Sequence, residues 1–177
     1  MKRIIILLAA AFFALTALAQ TNSVVKLKTP LGCFISDAST SPTNIRKSPG
    51  GEVIGSFKPG TSVMIDVIAK SGKWFQFEVI SNPENETINM NGKTGWLHSS
   101  VIGLNTANYG GQRIPLYSKP NMKSPIVAEI TEETLLHPED IEEGWVKVTY
   151  KDKKSGKTTS GWIERVWLCG NSVTNCC

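Results

Sequence analysis

The sequence predicts an all-β protein made of two small barrels in tandem. Three observations lead there. Gly and Pro (15 and 9 among 177 residues) punctuate the chain every few positions, and no long helical period runs between them. Short runs rich in β-branched and aromatic residues fill the gaps, and evenly spaced short strands with turn signals close into barrels or sandwiches. The same order of features then occurs a second time, the mark of an internal repeat.

The first element stands outside that body. Lys2-Arg3 precedes an uncharged run, Ile4 to Ala19, ending Ala17-Leu18-Ala19 before Gln20. A positive start, an apolar stretch and a small-x-small site make a secretory signal peptide over 1–19, cut near Ala19/Gln20. The run is shorter than the ~20 residues of a spanning helix, and no Cys follows the cut to mark a lipoprotein-type signal. The expected product is secreted or periplasmic, soluble, without a membrane span, and 158 residues long. Its 17 Lys and Arg against 15 Asp and Glu leave +2, where the whole chain carries +4. That is too little for a protein that tracks a phosphate backbone, so no nucleic-acid partner is expected.

Four cysteines remain: Cys33, Cys169, Cys176 and Cys177. Export makes disulfides their default use, and four cysteines allow three connectivities. Adjacent Cys176 and Cys177 bridge each other only with strain. This favours a bridge from Cys33 to the C-terminal tail and a small loop closed from Cys169. The alternatives are weaker. A Cys–Cys pair lacks the two-residue spacing of zinc ligands. His98 and His137, the two available bases, sit in no catalytic motif. The expectation is no enzyme, no metal and no cofactor.

The barrel body follows in order. Predicted strands cover Val53–Phe57, Ser62–Ala69, Trp74–Ile80 and Thr94–His98, then Ile126–Ile130, Thr134–His137, Trp145–Lys151 and Ser160–Glu164. Asn44-Ile45-Arg46-Lys47-Ser48-Pro49 parallels Pro115-Leu116-Tyr117-Ser118-Lys119-Pro120. Trp74-Phe75-Gln76-Phe77 parallels Trp145-Val146-Lys147-Val148, and Gly95-Trp96-Leu97 parallels Gly161-Trp162-Ile163. The expected division is an N-terminal segment 20–41, a first barrel 42–103, a linker 104–112, a second barrel 113–170 and a Cys-containing tail 171–177.

This order resembles the bacterial Src-homology-3-like (SH3b) domain: N-[IV]-R-x-x-P, a short strand, a turn, W-x-x-V, then G-W-[LI]. The first copy reads Asn44-Ile45-Arg46…Pro49, Trp74…Phe77 and Gly95-Trp96-Leu97. The second reads Leu116-Tyr117…Pro120, Trp145…Val148 and Gly161-Trp162-Ile163, with Tyr117 in place of Arg46. The resemblance implies two SH3-like, partly open, five-stranded barrels. It also implies a non-catalytic targeting role, since such domains often accompany cell-wall hydrolases and bind peptidoglycan or its cross-bridge peptides. About 22 residues before the first barrel and seven after the second leave no room for a hydrolase such as an NlpC-type cysteine peptidase or an amidase.

Strand parity locates the candidate site. Side chains alternate between faces, so Phe75, Phe77 and Val79 share one face and Trp74, Gln76 and Glu78 the other. Val146, Val148 and Tyr150 likewise oppose Trp145, Lys147 and Thr149. Leu97 and Ile163 have core parity, while Trp96 lies with His98 and Trp162 with Glu164. Amphipathic indoles on a polar face suit a peptide or sugar groove. Trp74, Trp96, Trp145 and Trp162, with Arg46 and Tyr117 of the motif, are the candidate ligand contacts. Two readings stay open: these rings touch ligand, or they pack under a loop or between the barrels. Trp167, beside Cys169, is assigned to packing.

The loops carry opposite charge. Ala69–Lys73 is basic, and Pro138–Gly144, with Glu139, Asp140, Glu142 and Glu143, is acidic. They are solvated hairpin tips, or they flank grooves for differently charged ligands, or they face one another between the units. Asn85-Glu86-Thr87 fits a glycosylation triplet in a loop. Two functions from different classes follow. One is an exported module binding a cell-envelope peptide, a glycan or a partner protein. The other is an inhibitor or immunity-type protein whose Glu139–Glu143 loop occludes an envelope-acting enzyme.

Overall fold

The computed structural model describes residues 23–61, 63–81 and 94–172. The predicted signal peptide, the Asn85-Glu86-Thr87 triplet, Cys176 and Cys177 lie outside the described residues. The first half contains β1 (Val25–Ile35), β2 (Thr43–Arg46), β3 (Val53–Phe57), β4 (Met64–Ser71), β5 (Trp74–Ser81), β6 (Gly95–His98), a 3-10 turn (Ser99–Val101) and β7 (Ile102–Thr106). The second contains β8 (Ile114–Tyr117), β9 (Ile126–Ile130), β10 (Leu135–Leu136), β11 (Pro138–Glu142), β12 (Trp145–Lys151), β13 (Thr158–Glu164), a 3-10 turn (Arg165–Trp167) and β14 (Leu168–Cys169).

The fold is all-β and barrel-like: a large open antiparallel sheet beside a second, smaller one. The larger sheet runs β10-β7-β1-β4-β5-β6-β2-β3, with β14 also on β7; the smaller runs β11-β12-β13-β8-β9. Within them, β4-β5-β6-β2-β3 and β11-β12-β13-β8-β9 share one order. Even the irregularities repeat, since the β2–β3 register slips between Ile45 and Arg46 and the β8–β9 register between Leu116 and Tyr117.

Alternation explains the core. On β4, Ile65, Val67, Ala69 and Ser71 point inward and their neighbours do not. Phe75, Phe77, Leu97, Val146, Val148, Tyr150 and Ile163 are all buried, as parity predicts, and Val79 packs half-buried against them. One hydrophobic core joins the two halves, from Leu31 and Phe77 through Leu104 to Leu136, Ile141 and Val148. Gly95 and Gly161 have core parity too. A Cβ on Gly95 would stand 2.4 Å from Ile45 Cγ2, and one on Gly161 3.0 Å from Leu116 Cβ. The glycine before each closing tryptophan lets β2 and β8 lie close.

Several sequence expectations need correction. The segment 20–41 holds an eleven-residue strand, β1. Its pattern is broken at Lys26–Leu31, where the pairing with β4 slips, so no clean alternation announces it. The span 104–112 begins inside β7 and is tightly held. Buried Thr106 receives the Thr134 N–H on its Oγ1 and donates to buried Asn108 (2.9 Å each). The acidic run Pro138–Glu142 is a strand, not a loop, because Pro138 and Ile141 turn inward and the run pairs with β12.

The expected bridge from Cys33 to the tail is overturned, whereas Cys169 is disulfide-bonded. No disulfide joins two described residues, and Cys33 is a free thiol. Cys33 is fully buried in the core, and desolvation pushes its thiol far above the ordinary range. The C-terminal segment does reach β1, but through backbone: a Cβ on Gly170 would come within 2.2 Å of the Gly32 carbonyl group. Close packing of Gly170 on Gly32 stands where a bridge was expected.

Candidate functional site

Register brings the predicted site residues together on the face opposite the core. Arg46 on β2 pairs with Trp96 on β6, and Trp96 with Gln76 on β5. One row further along, Trp74 pairs with His98. Residues paired across antiparallel strands share a face, so five side chains from three strands form one corner. Trp74 is its centre, half-buried, with the His98 ring edge-on at 5.2 Å and the Arg46 guanidinium 5.6 Å from the indole centroid. Arg46 Nη1 donates to the Gly51 carbonyl at 2.6 Å, which fixes the guanidinium against the ring. Gln76 donates to Thr94 Oγ1 at 2.7 Å. His98 Nδ1 accepts from the Ser100 N–H, which puts the neutral ring's proton on Nε2.

The second half builds the same corner. Tyr117 on β8 pairs with Trp162 on β13, Trp162 with Lys147 on β12, and Trp145 with Glu164. Trp145 is half-buried and meets Tyr117 edge-on at 5.5 Å. Tyr117 therefore occupies the place of Arg46, and Glu164 that of His98.

The four candidate tryptophans divide into two kinds. Trp96 and Trp162, 5% and 8% exposed, are covered and act as structure. Trp74 and Trp145 are half-buried and keep part of each ring in solvent. Trp167 packs half-buried against the core. Parity found the right face for all four candidates but could not say which rings neighbouring strands would cover. Gln76, His98, Lys147 and Glu164 complete the corners. Their strand parity signalled the face, while their partners across the strands needed the register.

The charged segments face one another. Lys70 reaches Asp140 at 2.5 Å and donates to the Ile141 carbonyl at 2.6 Å; Lys73 reaches Glu139 at 3.4 Å; Lys28 meets Glu143 at 2.5 Å. Arg165 donates to the carbonyls of Thr29 and Pro30 in the displaced part of β1. Burial works to raise the Glu139 carboxyl, but the Thr149 hydroxyl and the Lys73 and Lys147 cations outweigh it and hold the group below its ordinary value. A cleft of about 500 Å³ lies along this seam, with Val25, Leu27 and Ile141 in its walls. Of the acidic run, Glu139, Asp140 and Glu143 are engaged within the molecule and Glu142 is exposed. His137 donates from Nδ1 to the Ile102 carbonyl at 2.8 Å, tying β7 to the second half.

Among the described residues, no group of three or more His, Cys, Asp or Glu side chains could hold a metal ion. None of their helices is long and apolar enough to cross a membrane.

No protein-family model matches the chain, and no curated protein matches it. Among solved structures, NlpC1 from Trichomonas vaginalis overlaps 84% of this chain and 48% of its own length, at 12% identity and a TM-score of 0.30. NlpC2 from the same organism overlaps 81% of this chain and 49% of its own, at 10% identity and a TM-score of 0.30. The chain thus spans about half the length of each. A similarity of this size establishes neither a shared fold nor a shared activity.

Proposed function

We propose that the chain is an exported, non-catalytic binding module of two SH3-like units, and that its partly exposed aromatic corners take a cell-envelope peptide or glycan. The observation that carries this reading is the repeated corner. The same half-covered indole, Trp74 and Trp145, stands on the polar face at the same register position of both halves, beside a polar or aromatic partner from the neighbouring strand. A large indole left half-open at equivalent places is what a groove for extended peptides or sugars needs. The repeated strand order and the repeated slip at Arg46 and Tyr117 support the SH3-like assignment. The inhibitor reading gains nothing comparable, because its occluding segment is engaged in intramolecular pairs.

A pull-down on purified peptidoglycan, with envelope extract in parallel, tests the proposal. Saturable binding by folded protein is expected. Folded protein that binds neither would refute it.

A further inference from the structure

The two corners share one frame and differ in what they offer a ligand. In the first, Arg46 spends Nη1 on the Gly51 carbonyl, and no carboxylate among the described residues pairs with it. Its Nε and Nη2 have no hydrogen-bond partner among the described residues, and this edge of a guanidinium is the one that meets a carboxylate with two parallel bonds. The cation is already positioned by its ring contact and by the Gly51 bond. The nearby His98 ring has Nδ1 occupied by Ser100, so its remaining N–H is on Nε2. In the second corner, Tyr117 and Glu164 replace these two donors, and a carboxylate brought there would meet Glu164.

Resting on the binding-module reading above, we propose that the first corner is a carboxylate-recognition site. Arg46 holds the anion of the envelope ligand, and Trp74 forms the platform for the group that bears it. The second corner accepts the uncharged remainder of such ligands and does not select for the anion. The carboxylate has two possible sources, the free C-terminus of a short peptide or an acidic sugar, and paired probes distinguish them.

Isothermal titration of the purified protein tests this with N-acetyl-Ala-Ala against its C-terminal amide, and N-acetylmuramic acid against N-acetylglucosamine. One acid is expected to bind at least tenfold more tightly than its uncharged counterpart, and which acid does so names the source. Arg46→Gln should erase that preference. Equal binding of acid and neutral probes, or a preference that survives Arg46→Gln in folded protein, would overturn the proposal. Binding to purified peptidoglycan is measured in parallel. If it is retained and depends on Trp74 while no acid is preferred, only the carboxylate assignment fails. If neither peptidoglycan nor any probe binds, the module reading fails and takes this proposal with it.

Discussion

Phe77 and Trp74 lie three residues apart on β5 and face opposite ways. Phe77 is fully buried against Phe57 at 5.8 Å, whereas Trp74 keeps part of its ring in solvent. Removing them should therefore do different things. Phe77→Ala should cost about 3–5 kcal/mol, the penalty of a core cavity. Trp74→Ala should cost roughly 1–2 kcal/mol, because a half-covered ring loses only part of its burial. Denaturant unfolding of the two variants checks the contrast. Gly95 offers a second residue-level test. Its missing Cβ would overlap Ile45 Cγ2 and crowd Phe77 at 3.1 Å, while the nearest atoms at Gly161 are 3.0 Å away. Gly95→Ala should destabilise by about 1–3 kcal/mol and Gly161→Ala by less, read from the shift in denaturation midpoint. Both differences were legible in part. Parity assigned Phe77, Trp74 and both glycines to their faces, but the depth of cover on each ring depends on strands distant in sequence.

At the scale of elements, the two repeats were readable and the strands that join them were not. β5 and β12 announce themselves by alternation after a turn, and β6 and β13 by the repeated Gly-Trp-Leu and Gly-Trp-Ile runs. β1 conceals its period behind a slip in pairing, and β7 and β14 follow short 3-10 turns that a pattern of alternating residues does not register. The acidic run reads as a loop because three of its five residues, Glu139, Asp140 and Glu142, are charged; only Pro138 and Ile141 carry the inward period. The seam it forms with Lys70 and Lys73 has a pH signature. Glu139 in the folded protein sits below its ordinary value of 4.5. A carboxyl lowered by folding contributes stability that is present above its unfolded value and is lost as pH falls through the folded value. Stability should thus decline as the medium is acidified below the ordinary carboxylate range, and Glu139→Gln should flatten part of that decline. Thermal melts across pH 3 to 7 would reveal it.

For the whole molecule, the decisive strand is β7. It pairs with β1 of the first half and with β10 and β14 of the second, with Leu104 buried beneath. The core runs without a break through both halves. Two barrels joined by a free linker would melt independently, whereas a shared strand and core should make unfolding one cooperative event. Cys33 supplies a probe of the first half. Buried and held protonated, its thiol should resist a maleimide in the native state. It should become reactive in the same denaturant range in which the near-ultraviolet signal of the tryptophans is lost. Two separated transitions would show that the halves stand alone.

The central claim is that the partly exposed indoles of the repeated corner bind an envelope ligand. It is tested most directly by equilibrium binding of the wild type and the Trp74→Ala/Trp145→Ala variant to purified peptidoglycan, with Tm measured on both. The account predicts that the variant stays folded and binds at least tenfold more weakly, a loss of about 1.4 kcal/mol or more. Undiminished binding by the folded variant would contradict it.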